Sequence, residues 1–172
     1  MCRLAAGTDT GHPVGMSRPR FGSINLIVDD VDAAARFLAD LGMEIEPMLP
    51  EWAVHHRSFA ADVTEFDADI DSPTFARWWG GVPSDGAPQF VVNLRVDARE
   101  EVDRLHRQGL DAGAVELKAP FDAFWGARYA VMLAPGPLCL GVMSVPEPER
   151  RSAPPQISAF ATPTGSDASP SA

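Results

Sequence analysis

Residues 24–29, Ile-Asn-Leu-Ile-Val-Asp, return as residues 92–97, Val-Asn-Leu-Arg-Val-Asp, an offset of 68. A chain that repeats itself this way is constrained to build two similar units, each too small to bury its apolar face alone. A helical pattern follows each copy. In the first, Ala34, Phe37, Leu38 and Leu41 recur at helical spacing up to Gly42. In the second, Val102, Leu105 and Leu110 do so, with Gly109 read as the stop. Asp29 or Asp30, and Asp97, are the expected N-caps.

Two further matches keep the same order. Trp52 to Ala60 parallels Trp125 to Leu133 at offset 73, and Phe66 to Ser72 parallels Leu138 to Ser144 at offset 72. Each half therefore reads strand, helix, strand, strand, strand. Strands are expected near 23–28, 43–48, 53–60 and 64–71, then near 90–96, 113–118, 126–133 and 138–144. Between the halves, Ser72 is placed to cap a short helix with Pro73 in its first turn and Gly80-Gly81 at its end, followed by a loop from Pro83 to Pro88.

Side chains alternate across a strand. Ile24, Leu26 and Val28, like Val92, Leu94 and Val96, share a face that should pack under a helix. Ser23, Asn25 and Ile27, with Val91, Asn93 and Arg95, take the other. Asp67, Asp69 and Asp71 stand opposite Phe66, Ala68 and Ile70 in the last strand of the first half. The expectation is α+β: two βαβββ modules forming a cup-shaped mixed sheet, with helices on the outer face. Asn25, Asn93, Arg95 and the aspartates would line the cup, and Arg57, Arg95 and Arg128 are the cations available to the acids. Either the aspartates find those partners or they face water.

The domain is expected over residues 21–145, with modules at about 21–72 and 88–145. Residues 1–20, with five Gly and Pro and no periodicity, read as a flexible segment. Residues 146–172, rich in Pro, Ser and Ala, read as a disordered tail. The chain carries 14 basic and 24 acidic residues, and the acidity belongs to the domain, where 9 basic against 20 acidic residues leave −11. That charge argues against nucleic acid or an anionic membrane as partner, since both need a basic patch. No apolar run approaches a membrane span and no signal core opens the chain, so a cytoplasmic protein is expected. Cys2 and Cys139 make no disulfide framework, and Cys139 reads as an inert strand residue.

The segments INLIVDDVDAAARFLADLGM and FWGARYAVMLAPGP, on paired βαβββ halves, resemble the vicinal-oxygen-chelate superfamily, which includes glyoxalase I, bleomycin-resistance proteins and extradiol dioxygenases. The resemblance covers about residues 21–146. Where that family usually has Asp-Pro-Asp-Gly, this chain has Ala134-Pro135-Gly136-Pro137. The resemblance implies metal ligands at four positions, read here as Ser23, Asp69, Val91 and Gly141. Two of these have no donor side chain, so no metal and no other cofactor is expected.

Candidate site residues follow from the residues themselves. Adjacent His55 and His56 point to opposite faces of a strand and cannot chelate one ion together, but either suits a pocket hydrogen bond or general-base role. His12 falls in the N-terminal segment and His106 on a helix surface. Trp52, Phe124, Trp125 and Tyr129 lie at matching strand ends and suit aromatic pocket walls. Arg128 between them would meet an anionic ligand or an aspartate. Trp78 and Trp79 would close the cup or anchor the linker.

The leading expectation is a metal-independent protein that binds or sequesters a small organic ligand, cationic or aromatic, in the bleomycin-resistance manner. Catalytic candidates are His55, His56 and Tyr129; ligand-binding candidates are Asn25, Trp52, His56, Asp67, Asp69, Asn93, Arg95, Trp125, Arg128 and Tyr129. The alternative is an enzyme of the same superfamily: a metal-free lyase or isomerase using a His and a carboxylate, or a dioxygenase-type enzyme with displaced ligands from Glu65, Asp67, Asp69 and a His. An open sheet edge beside each half makes a homodimer the expected assembly.

Overall fold

The computed structural model describes residues 18–59, 67–83, 90–136 and 138–156. Seven strands form one mixed sheet in the order β2-β3-β1-β4-β7-β6-β5. They are β1 (Arg20–Ile27), β2 (His56–Ser58), β3 (Asp67–Asp71), β4 (Phe90–Val96), β5 (Val115–Asp122), β6 (Arg128–Ala134) and β7 (Leu138–Ser144). Helices α1 (Val31–Asp40), α2 (Pro50–Ala53), α3 (Pro73–Gly80) and α4 (Arg99–Asp111) complete the α+β fold. None of them is long and apolar enough to cross a membrane.

The repeat is the seam of the sheet. β1 pairs antiparallel with β4 about one repeat-related pair, Ile24 opposite Val92. On either side the relation is copied: β3 runs parallel to β1 and β7 parallel to β4. The two halves are thus related by an approximate two-fold axis through the middle of the β1–β4 pair.

Alternation on β6 separates two layers of core. Ala130 and Met132 pack with Val102 of α4 on the outer face. Tyr129 and Val131 pack with Phe75, Ala76 and Trp79 of α3 on the inner face. α1 covers the first half through Val31 and Ala35 against Ile70. The module helices α1 and α4 therefore lie outside, as the pattern requires, while the linker helix α3 sits inside the cup. Its Phe75 and Trp79 are one turn apart and occupy the same helical face.

Several expectations are corrected. The strand expected at 43–48 survives only as a bridge between Ile45 and Phe59. Pro47 and Pro50 lack the N–H groups a ladder needs. Pro50 instead opens α2, so the strand expected at 53–60 is reduced to His56–Ser58. Trp52 consequently sits on a helix, not at a strand end matching Trp125. Residues 64–66 of the next expected strand, with the 84–88 part of the expected loop, the 1–17 segment and residues 157–172, lie outside the described residues. Gly109 does not stop α4; the helix runs to Asp111 and Gly113, at φ 96°, follows it. Ala98, not Asp97, is the N-cap of α4, and Asp97 binds Arg20 at 2.8 Å. His106 is buried rather than on the surface, 3.2 Å from Glu116.

The segment expected to leave as a tail at Pro146 stays on the domain through the described residues. Glu147 N–H donates to Gly126 O at 3.2 Å and Ser152 N–H to Phe124 O at 2.9 Å. Arg99 reinforces this anchor, donating to Gly126 O at 3.1 Å and lying 3.7 Å from Glu147.

Two helix ends depend on single residues. Asp30 caps α1 by accepting from Ala33 N–H at 2.8 Å. Gly81 ends α3 at φ 64°, where a Cβ would stand 2.3 Å from the Leu117 carbonyl oxygen. In urea denaturation, Asp30→Ala should cost about 1 kcal/mol. Gly81→Ala should cost more, about 2–4 kcal/mol, since it adds a backbone clash to an unfavourable φ. Equal effects would show that the Gly81 turn relaxes freely.

Candidate functional site

The inner face of the sheet and α3 enclose a cavity of about 570 Å³. Trp52, Phe75, Trp79, Phe124, Trp125 and Tyr129 make its walls. Pro47, Met48 and Leu49 line it too, as do Pro146 and Pro154 of the C-terminal segment. The aromatic rings are in contact: Trp52 lies 5.8 Å from Phe75 and 6.4 Å from Phe124, and Phe124 lies 5.0 Å from Trp125. Edge-on and tilted packing of this kind holds a rigid apolar surface with little side-chain entropy left to lose.

The floor is a continuous chain of hydrogen bonds crossing five strands. Tyr129 Oη donates to Asn93 Oδ1 at 2.7 Å. Asn93 Nδ2 donates to Ser23 Oγ at 3.0 Å and to Asn25 Oδ1 at 2.8 Å. Asn25 Nδ2 then donates to Asp71 Oδ2 at 2.8 Å. From the other side His56 Nδ1 meets Asp71 Oδ1 at 2.6 Å, and its Nε2 lies 3.0 Å from Ser58 Oγ. Each amide uses its oxygen toward Tyr129 and its nitrogen toward Asp71, so the chain has one direction and ends on a fully buried carboxylate. The two asparagines are the repeat-related pair, brought together by the antiparallel seam.

Nine of the ten residues expected to bind ligand line this cavity: Asn25, Trp52, His56, Asp67, Asp69, Asn93, Arg95, Trp125 and Tyr129. Arg128 does not. It precedes Tyr129 on β6 and so points to the outer face, where its guanidinium binds Asp103 at 2.9 Å and Asp122 at 3.0 Å. Arg57 is also spent elsewhere, on Asp32 of α1 at 2.7 Å. His55 lies off the cavity with its ring 3.2 Å from Ser72 Oγ, and burial lowers its pKa. The three aspartates fall on one face but not in one environment: the side chain of Asp67 is 49% exposed, that of Asp69 26% and that of Asp71 0%. Phe75, Ser58, Met48 and Met143 are lining residues that the sequence reading did not single out. For Ser58 the signal was there, two residues from His56 on the same strand face. For Phe75 it was the i, i+4 relation to Trp79.

The four positions implied as metal ligands do not fit a metal centre. Ser23 Oγ is buried and holds Asn93. Val91 is fully buried in the apolar core. At Gly141 no side chain fits, because a Cβ would stand 2.0 Å from Asn93 Oδ1 and 2.5 Å from Tyr129 Oη. The Tyr129–Asn93 hydrogen bond fills the space a fourth ligand would need. Only Asp69 offers a donor, and among the described residues no group of three or more His, Cys, Asp or Glu is placed to hold an ion. Glu65, one of the displaced-ligand candidates, lies outside the described residues.

The buried charges shift one another. Burial alone would lower the His56 pKa, but the Asp71 hydrogen bond and the charges of Asp71, Asp69 and Glu46 outweigh it and raise it above 6.5. Burial pushes the Asp69 acid up to about 6, against the pull of His56 and a Ser58 hydrogen bond. Tyr129 is held well above its ordinary range by burial, which keeps it a donor, and burial raises the Cys139 thiol to about 11. That thiol is a packed, unreactive group. Within the pH range near neutrality, Asp69 and His56 hold protons that the unfolded chain releases. Their stabilisation is therefore complete below pH 3.8 for Asp69 and below 6.5 for His56, and is lost as pH rises through the folded values. Relative to Asp69→Asn, the native protein should lose on the order of 1–2 kcal/mol of stability between pH 4 and pH 7 in denaturant titrations. Parallel pH profiles would show that Asp69 is not held in a costly environment.

Comparison with known proteins adds the family. No curated protein matches the chain. Among solved structures, a variant of homoprotocatechuate 2,3-dioxygenase from B. fuscum is 15% identical, covering 74% of this chain and 34% of that one, with a TM-score of 0.53. Methylmalonyl-CoA epimerase from Mycobacterium tuberculosis is 16% identical, covering 75% of this chain and 89% of that one, with a TM-score of 0.51. At such identities the likeness is one of fold. Residues 20–165 match the family model described as the glyoxalase/bleomycin resistance protein/dioxygenase superfamily, which spans the sheet, the cup and the segment that borders it. With its repeat forming the seam of the sheet and its cup floored by the paired asparagines, the chain belongs to that superfamily.

Proposed function

We propose that this protein binds a small organic molecule in the cup without help from a metal ion, in the manner of the bleomycin-resistance branch of its superfamily. The observation that carries the reading is the cup itself: about 570 Å³, with contiguous aromatic walls over a polar floor whose hydrogen bonds are already made among protein groups. Small-ligand sites are of this size and make-up. The floor fixes the shape of the cavity, and the walls provide an apolar surface for a flat or hydrocarbon part of the ligand. A preorganised wall loses little freedom on binding.

A second reading rests on one geometric feature. The Asp71–His56 dyad sets the tautomer of the imidazole and leaves Nε2 beside Ser58 on the cavity side. That is the arrangement of a positioned general acid–base, which suits a metal-free lyase or isomerase. His56→Gln separates the two: a binding protein keeps most of its ligand affinity, whereas an enzyme loses turnover of an identified substrate by about 10²–10⁴-fold.

The reading makes a direct prediction for protein purified without a His tag or chelator. Elemental mass spectrometry should find well under one transition-metal ion per chain, and chelator should leave the melting temperature unchanged. In a thermal-shift screen, aromatic compounds at about a hundred times their Kd should stabilise the fold by about 2.7 kcal/mol. Near-stoichiometric iron, manganese, nickel or zinc, or no stabilisation by any aromatic compound, contradicts the proposal.

A further inference from the structure

The charges that face the cavity do not cancel, and the remainder has a place. Among the described residues, three carboxylates line it, Asp67, Asp69 and Asp71, against two groups that carry positive charge, Arg95 and His56. Arg95 Nη2 is committed to Asp67 at 3.2 Å. His56 Nδ1 is committed to Asp71 at 2.6 Å. Asp69 has no cation of its own: it keeps a Ser58 hydrogen bond and longer contacts, 3.9 Å to His56 Nε2 and 3.4 Å to Asn25 Nδ2. Arg57 and Arg128, the other cations that strand spacing brought near, bind acids on the outer face. Among the described residues no further Lys or Arg lines the cavity.

We infer that the ligand of this cup is an organic cation, an amine or quaternary ammonium compound carrying an apolar part, with Asp69 as its counter-ion and Trp52, Phe75, Phe124 and Trp125 as the surface it lies against. The inference rests on the small-molecule reading above and gives it a ligand class. Three physical effects act in the same direction. A neutral ligand covering the cup removes water from Asp69 and gives it nothing in exchange, which is costly for a carboxylate. An anion meets that carboxylate directly and is repelled. A cation satisfies Asp69 and gains from the electron-rich faces of the indole and phenyl rings, whose attraction for ammonium grows as water is excluded. The domain charge of −11 adds a long-range field that favours the approach of cations.

The test uses three probes that share a benzyl group and differ in charge: benzyltrimethylammonium, benzyl alcohol and phenylacetate. Binding to the full chain is followed through tryptophan fluorescence, since Trp52, Trp79 and Trp125 line the cavity. The cation should bind at least tenfold tighter than either other probe, and the preference should weaken as salt is raised. In Asp69→Asn the cation should fall to within about threefold of benzyl alcohol, whose own affinity stays nearly constant. This variant should fold, because burial already disfavours the charged form of Asp69. Benzyl alcohol or phenylacetate binding as tightly as the cation, or a cation preference that survives Asp69→Asn, overturns the ligand class and leaves the cup a small-molecule site. Failure of all three probes, together with failure of the wider aromatic screen, overturns both.

Discussion

Asp71 is a fully buried carboxylate in a protein with few cations to spare, and the rest of the site is arranged around it. An isolated buried charge of this kind is far too costly to keep. Here it is met from both sides, by the His56 imidazole and by the amide of Asn25. Asn25 can point its nitrogen at Asp71 only if its oxygen is satisfied, and Asn93 satisfies it. Asn93 in turn needs a donor for its own oxygen, which is the Tyr129 hydroxyl. One buried charge thus fixes the orientation of groups on β2, β1, β4 and β6. Low dielectric surroundings strengthen such a chain and also make any break in it expensive.

The same chain braces the floor of the cup with protein groups from both halves. The two asparagines meet across the antiparallel seam and tie the halves together there. Gly141 is part of that arrangement, because any side chain there would displace Asn93 and Tyr129. The floor is therefore largely satisfied from within, and the aromatic wall and the Asp69 carboxylate are the groups that the proposed ligand would meet.

Much of this was written in the sequence, for reasons that are local. The repeat located the seam, and period-2 alternation put Asn25, Asn93, Arg95 and the three aspartates on the inner face. The same alternation, applied strictly, excludes Arg128, since Tyr129 beside it faces the cup. What the sequence concealed was tertiary. The alternation over residues 53–60 gave no hint that α2, opened by Pro50, would reduce that strand to His56–Ser58. α3 carried an apolar stripe, but nothing in its residues told whether it would lie outside the sheet or within the cup. The proline-rich composition after Ser144 read as disorder, yet two backbone hydrogen bonds and Arg99 hold residues 147–152 against the 124–126 turn, where Pro146 and Pro154 border the cavity. Composition measures what a segment can bury by itself and says nothing of a surface waiting for it.

The most direct measurement of the account is NMR of the His56 imidazole between pH 5 and pH 9. If His56 is the cation that Asp71 requires, it titrates above 6.5, keeps its proton on Nδ1 when neutral, and drops in pKa when Asp71→Asn removes the partner. A His56 pKa at or below 6.5, or a neutral ring protonated on Nε2, would mean that Asp71 is balanced in some other way and that the hydrogen-bond chain does not run in the direction described.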